Sequence, residues 1–148
     1  MITIKTTQRK IKVDIDALKK NARKILGLLN YHDFALNIFL TTNQTIRRYN
    51  KKYRKIDKPT DILSFPFYPD LKPGQAIVPD LPEDKNLGDI IISLEYVQAQ
   101  LKELNTTLDE RLNVLLVHGI CHLLGYDHKT DTQYKQMHKK ETWLLERL

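Results

Sequence analysis

The sequence predicts an α+β domain in which a small mixed β-sheet packs with helices. Short strand-like segments lie mainly in the first two thirds of the chain, helical segments fill the last third, and all six prolines fall between Pro59 and Pro82. With 148 residues, 41% of them hydrophobic, the chain can bury one core, so we expect a single domain over residues 1–148.

Strands and helices alternate in the first part of the chain. Ile2 and Ile4 alternate with polar residues, which predicts a first strand. A helix then begins after Asp14 or Asp16, because both are suitable N-caps and the apolar residues that follow recur at helical spacing. The alternation over Phe34–Leu40 predicts a second strand.

The middle of the chain is predicted to contain one more helix, two strands and a long loop. A very polar helix runs from Asn43 to about Arg54, and an apolar run within Asp61–Phe67 is a candidate strand. The prolines prevent Pro69–Asn86 from being a continuous helix or central strand, and a loop this long usually has a function, such as that of a lid. The apolar stretch Gly88–Ser93 predicts a strand buried on both faces.

Three helical segments complete the domain, at about Leu94–Leu104, Asp109–Leu124 and Thr130–Leu148. The last helix is predicted to have one apolar face with Trp143 beside it. That face consists of Tyr134, Met137, Leu144, Leu145 and Leu148.

The net charge of +6 is unevenly distributed. Residues 1–58 contain 15 Lys/Arg and 4 Asp/Glu, whereas residues 59–148 contain 9 and 14. A strongly basic first part suggests a polyanionic partner such as RNA, although a solvated lysine-rich surface explains the charge equally well. No apolar run approaches the roughly 20 residues of a membrane helix. The N-terminus lacks the order of a secretory signal, and the single cysteine, Cys121, excludes an internal disulfide, so we expect a cytoplasmic protein.

Three of the five histidines form the pattern H-x-x-x-H-x-x-x-x-x-H. His118 and His122 are four residues apart in an apolar helix and therefore project from the same face. Gly125 can end that helix in a left-handed conformation, and the turn after it would bring His128 to the same ion. Three imidazoles leave one coordination position for water, which is typical of catalytic zinc. The pattern predicts a zincin-like metal hydrolase with its site on a helix and the following turn.

The residues around the histidines allow more than one interpretation. In the H-E-x-x-H motif of zinc proteases a glutamate is the general base, but here that position is Gly119, which argues against a peptidase. Asp127 could act at the site, by orienting a ligand imidazole or shuttling a proton, or it could cap the turn. Cys121 is predicted to be a small apolar core residue, and His32 and His138 lie outside ligand spacing.

The run from His118 to His128 resembles the signature of the YbeY family of endoribonucleases. Two other stretches resemble the same family in the same order, Tyr53–Pro66 and Gly88–Ser93. The match departs mildly at Cys121, where a larger aliphatic residue would be expected. The resemblance implies zinc at the three histidines and cleavage of single-stranded RNA in ribosomal RNA maturation, notably at the 3′ end of the small-subunit RNA, and in ribosome quality control. It also implies contacts with the ribosome or its proteins.

The resemblance also implies a functional role for Arg54, whose guanidinium could neutralise charge on a phosphate. Ser64 is a minor candidate near the site, and Asp61 and Asp89 are expected to be cap or loop residues. The candidate RNA-binding residues belong to the basic stretch that ends near Arg54, and they are Arg47, Arg48, Lys51, Lys52 and Lys55. The tyrosines of this stretch could stack on bases or simply pack inward.

The sequence is consistent with three functions. The first is a metal-dependent endoribonuclease. The second is a ribosome-assembly factor that binds RNA and uses zinc only to hold its fold. The third is a hydrolase of another bond, such as a peptide or amide. The sequence identifies neither the general base nor the attacking nucleophile.

Overall fold

The computed structural model describes residues 1–148 and contains four strands and five α-helices. The strands are β1 (Ile2–Thr6), β2 (Ala35–Thr41), β3 (Ile62–Pro66) and β4 (Asn86–Ser93). The helices are α1 (Ile15–Leu28), α2 (Asn43–Arg54), α3 (Leu94–Leu104), α4 (Leu108–Leu123) and α5 (Asp131–Leu145). The predicted α+β class and the predicted mixed sheet are confirmed.

The sheet has the strand order β1-β2-β4-β3. β1 pairs with β2 and β2 pairs with β4 in parallel, whereas β3 runs antiparallel to β4 and forms one edge of the sheet. β4 begins at Asn86 rather than at the predicted Gly88, because Asn86 already pairs with Ala35 of β2. A register irregularity in this pairing lies between Ala35 and Leu36.

The two faces of the sheet carry separate apolar clusters, because successive side chains of a strand point to opposite sides. Ile90 and Ile92 of β4 join the main core, which contains 24 buried residues and takes side chains from α1, α3, α4 and α5. Ile91 faces the other way and packs with Ile46 of α2 and Leu63 of β3. β4 is therefore buried on both faces, as predicted.

Asp89 is the exception in β4. Its side chain is exposed, and its Oδ1 accepts a hydrogen bond from Asn37 Nδ2 of β2 at 2.9 Å. The expectation that Asp89 is a cap or loop residue is wrong, because it lies inside the strand. Asp61 does precede its strand, and its Oδ1 accepts from the backbone N–H of Ile62 at 2.7 Å.

The long loop after β3 contains one short 3-10 turn, Pro82–Asp84, and no other helix or strand. It is nevertheless anchored, since Leu71 and Ile77 pack partly buried against the main core. The loop therefore forms a fixed wall of the domain beside α4.

The last helix ends at Leu145, three residues before the predicted end. Met137 and Leu144 are buried in the core, as predicted, but Tyr134 is 57% exposed. The prediction for Tyr134 is wrong because its ring stacks on that of His138, with the centroids 5.7 Å apart, instead of entering the core. None of the five helices is long and apolar enough to cross a membrane.

Candidate metal centre

α4 positions two of the three predicted histidines. The helix begins after Thr107, whose side chain accepts from the backbone N–H of Glu110. Near its other end, His118 and His122 project one turn apart, and their Nε2 atoms are 3.1 Å from each other. Apolar residues of the same helix are buried in the core, so the two imidazoles sit on a rigid support.

The other ring nitrogen of each histidine is held by an acceptor. Nδ1 of His118 lies 2.9 Å from Oε2 of Glu141 on α5, and Nδ1 of His122 lies 2.9 Å from the carbonyl oxygen of Tyr126. A carbonyl can only accept, so Nδ1 of His122 carries the proton and its Nε2 keeps a free lone pair. Glu141 selects the same tautomer for His118. Partners of this kind orient the imidazole ligands of a metal.

Burial, aided by the neighbouring His118 and His128, lowers the pKa of His122 to about 4. His122 is therefore neutral at pH 7, which is the form that binds metals. Two lone pairs 3.1 Å apart repel each other unless a proton or a cation lies between them, and the low pKa disfavours the proton on His122. Two nitrogens on one tetrahedral zinc would be separated by about 3.3 Å, so the observed spacing fits a shared ion.

The third histidine reaches the site through the turn that ends α4. Gly125 has a φ of +93°, the left-handed conformation that the sequence predicted. His128 follows on the exposed side of the turn, and its ring centroid lies 5.6 Å from that of His118 and 5.1 Å from that of His122. One potential ligand atom from each of the three residues lies within 4.8 Å of the others, so the cluster can hold a metal ion.

Asp127 caps this turn, which was one of its two predicted roles. Its Oδ1 accepts from the backbone N–H of His128 at 2.8 Å, and Lys129 Nζ lies 3.7 Å from Oδ2. Desolvation opposes ionisation of Asp127, but the His128 N–H and the nearby Lys129 outweigh it, so the pKa of the carboxyl is lowered. Asp127 therefore holds the backbone of His128 rather than an imidazole ring.

Gly119, in the position where zinc proteases have a glutamate, faces the sheet. A Cβ at this position would meet Ile90 Cδ1 at 2.9 Å and Ile62 Cδ1 at 3.0 Å. A side chain here would press on these two isoleucines rather than enter the cleft, and glycine itself has none, so no carboxylate acts from this position. Cys121 is fully buried in the core, burial raises its pKa to about 12, and it is not one of the three clustered residues.

A cleft of about 670 Å³ opens in front of the histidines. Arg54, Ser64 and Asp127 line it, together with Pro69 and Leu71 of the long loop. The loop thus forms one wall of the cleft.

Arg54 is the only guanidinium that lines this cleft. Its Nη2 donates to the carbonyl oxygen of Ser64 at 2.7 Å, and its Cζ lies 5.2 Å from the ring centroid of Phe65. Ser64 contributes to this contact through its backbone, since its side chain makes no hydrogen bond. These two contacts fix the guanidinium in the cleft that the three histidines also line.

Asp61 also lines the cleft but is already paired. Its Oδ2 accepts from Arg111 Nη2 of α4 at 3.2 Å, which ties the start of β3 to the helix that carries the histidines. The sequence offered no sign of this pair, because its members are 50 residues apart.

The basic residues of α2 fall into two groups. Arg47 and Lys51 share the carboxylate of Asp57, at 2.8 and 3.9 Å. The other group, Arg48, Lys52 and Lys55, has no carboxylate partner and stays exposed. The second group therefore has the greater capacity to bind a polyanion.

Glu141 was not predicted from the sequence, because its contact with His118 joins two different helices. We predict that Glu141→Ala weakens metal binding by about 10- to 100-fold, because His118 loses the acceptor that orients its ring. Glu141→Gln should lose less, since its amide oxygen can still accept. Competition with a chromophoric chelator measures the affinity, and Glu146→Ala, at the exposed residue directly after the same helix, is the control. Unchanged affinity in Glu141→Ala would contradict the assigned role.

Known proteins resemble the chain over nearly its whole length. A sequence model of the family described as Endoribonuclease YbeY matches residues 3–148. The human protein named endoribonuclease YbeY is 39% identical over 147 residues, which cover 99% of this chain and 87% of the human one. Its namesake from Aquifex aeolicus is 38% identical and covers 99% of this chain and 91% of its own.

A solved structure shows the same architecture. The solution structure of TM1509 from Thermotoga maritima superposes with a TM-score of 0.60 at 26% sequence identity, covering 99% of this chain and 91% of that one. With the family match over residues 3–148 and relatives at 39% and 38% identity, the chain belongs to the endoribonuclease YbeY family.

Proposed function

We propose that this protein is a zinc-dependent endoribonuclease that cleaves single-stranded RNA. The observation that carries the proposal is the convergence of two imidazole lone pairs 3.1 Å apart in a cleft that Arg54 also lines. The chain belongs to a family whose members are named endoribonucleases, and this supports RNA as the substrate class.

Zinc is the metal we propose for His118, His122 and His128. A set of three neutral imidazoles suits zinc and leaves a coordination position free. When bound, zinc would supply Lewis acidity and lower the pKa of a water ligand to roughly 7. The chain contributes the geometry: Glu141 and the Tyr126 carbonyl hold two rings, and Asp127 holds the turn that carries the third.

Arg54 is the residue we propose for the phosphate. The guanidinium has five N–H donors and one is used on the Ser64 carbonyl, so the remaining donors can bind phosphoryl oxygens. Because the side chain is already held by Ser64 and Phe65, little reorganisation is needed when negative charge develops in the transition state.

The remaining features support RNA rather than a peptide as the substrate. The exposed cations of α2 belong to the same helix as Arg54, and basic side chains that follow a phosphate backbone are typical of single-strand binding. A peptidase of the H-E-x-x-H type is disfavoured, because the position of its glutamate is Gly119 in this chain. We further propose that the substrate is ribosomal RNA in the cytoplasm, on the basis of the family.

The role of Arg54 can be tested directly. We expect Arg54→Ala to reduce kcat/KM for a single-stranded oligoribonucleotide by about 10²-fold, the usual cost of losing one charge-stabilising donor. Arg54→Lys should recover only part of the loss, since an ammonium cannot reproduce the planar fork. Metal content should stay unchanged in both variants.

Arg23→Ala is the matched control, because Arg23 is an exposed arginine on α1 away from the cleft. The same assay includes a duplex of the same sequence and an unstructured peptide. Full activity in Arg54→Ala, or cleavage of the peptide instead of the RNA, would refute the proposed function.

A further inference from the structure

A row of three aromatic rings lies next to the cleft. Tyr49 and Tyr53 of α2 stack with centroids 6.1 Å apart and an interplanar angle of 15°. Tyr53 then meets Phe65 of β3 edge-on, with centroids 5.2 Å apart and planes at 67°. The row crosses from the helix to the edge strand of the sheet.

The three rings differ in whether packing in the protein interior explains them. Tyr49 and Phe65 are partly buried and pack on the cluster of Ile46, Leu63 and Ile91, so folding accounts for them. Tyr53 is 51% exposed, does not belong to that cluster, and its hydroxyl makes no hydrogen bond. Neither apolar burial nor a polar contact therefore explains an aromatic residue at this position.

The position of Tyr53 relative to the site is informative. Its neighbour Arg54 lines the cleft and places its guanidinium 5.2 Å from the ring centroid of Phe65, the same ring that Tyr53 contacts. Lys52 Nζ lies 5.2 Å from the Tyr53 centroid. An RNA strand with a phosphate on Arg54 would therefore have an adjoining nucleotide next to Tyr53, with a second cation nearby.

From this arrangement we infer that Tyr53, supported by Tyr49 and Phe65, is a stacking subsite for one unpaired nucleobase beside the phosphate that Arg54 binds. The inference rests on the proposed function and adds a determinant of strand selectivity to it. Every base has an aromatic face, so the subsite accepts any of the four. A base inside a duplex has both faces covered by its neighbours and cannot occupy it.

The test is a cycle that combines variants of Tyr53 with substrates lacking one base. The cut site of a single-stranded oligoribonucleotide is first mapped with the wild-type, zinc-loaded protein. The nucleotides on either side are then replaced one at a time by abasic ribose, which keeps every phosphate. We expect Tyr53→Ala to lower kcat/KM on the complete oligonucleotide by about 5- to 150-fold, the range for loss of one stacked base.

For one abasic substrate, the wild-type protein should show the same loss in kcat/KM that Tyr53→Ala causes on the complete oligonucleotide. Tyr53→Ala should cleave that abasic substrate no more slowly than it cleaves the complete one. Tyr53→Phe should behave as wild type, because the ring is kept, whereas Tyr53→Leu should resemble the alanine variant. Tyr134→Ala is the matched control, since Tyr134 is similarly exposed, on α5, and does not line the cleft. Thermal melts of all variants report on folding.

Two results would overturn the inference. The first is a Tyr53→Ala variant that cleaves the complete oligonucleotide as well as wild type does. The second is that, at every abasic position, the loss in kcat/KM from removing the ring multiplies with the loss from removing the base. Multiplied penalties would mean that the ring and the base do not interact, even if the variant were destabilised. A wild-type protein that cleaves no RNA at all would instead refute the proposed function itself. The failures of the two claims are therefore distinguishable.

Discussion

His128→Ala is expected to abolish RNA cleavage while leaving the protein folded. His128 is the exposed member of the three clustered histidines, and it lies on a turn rather than in the helix. Its removal takes away one of the three proposed nitrogen ligands, and the side chain that is lost is exposed rather than part of the core. Loss of metal catalysis removes several kcal/mol of transition-state stabilisation, so we expect cleavage to fall by about 10³-fold or more.

The measurement combines three readouts on one preparation: metal content by elemental analysis, cleavage of a single-stranded oligoribonucleotide, and a thermal melt. His138→Ala is the control, because His138 is also exposed but lies on α5 outside the cluster. Treating the wild-type protein with a chelator should have the same effect as His128→Ala, and added zinc should restore only the wild type.

This experiment also separates catalysis from a purely structural role for zinc. The main core contains 24 buried residues, and none of the three histidines is among them, so we expect the variant and the metal-free protein still to melt cooperatively. Unfolding upon metal removal would favour the assembly factor whose zinc holds the fold. Activity that survives both complete metal removal and His128→Ala would refute the metal mechanism.

Gly125→Ala is expected to destabilise the protein by about 3 kcal/mol or more and to weaken metal binding. An alanine at a φ of +93° is strained, at a cost of roughly 1–2 kcal/mol. Its Cβ would also overlap the carbonyl oxygen of Leu71 in the long loop, so backbone must move. Any shift here displaces the Tyr126 carbonyl that orients His122.

Urea unfolding measures the loss of stability, and chelator competition measures the loss of metal affinity. Gly27→Ala is the matched control, because Gly27 lies in α1 and its added Cβ would have no neighbour within 4 Å. The control should be as stable as the wild type or about 0.5–1 kcal/mol more stable, since alanine favours the helix. A Gly125→Ala variant with the same urea midpoint of unfolding as the wild type would show that the left-handed turn at Gly125 is not needed for stability.

The clustering of the three histidines was predictable because it is local. His118 and His122 share a face through the repeat of the helix alone, and one glycine in a left-handed conformation turns the chain toward His128. Most elements were predictable for a similar reason, since apolar periodicity and N-cap residues depend on neighbours in the chain. Tyr134 shows the limit of such predictions. Periodicity assigns a residue to one face of α5, but it does not tell which part of that face contacts the core.

Sequence alone therefore determined the fold class, the three histidines and the helix that carries two of them. Only the tertiary structure decided that Glu141, 23 residues from His118, orients the ring, and that Ser64 and Phe65 hold Arg54 at the cleft. The same is true of Tyr53, which is left half exposed beside Phe65. The physical reason is that spacing along one helix is set by backbone geometry, whereas contacts between distant segments depend on how whole elements pack.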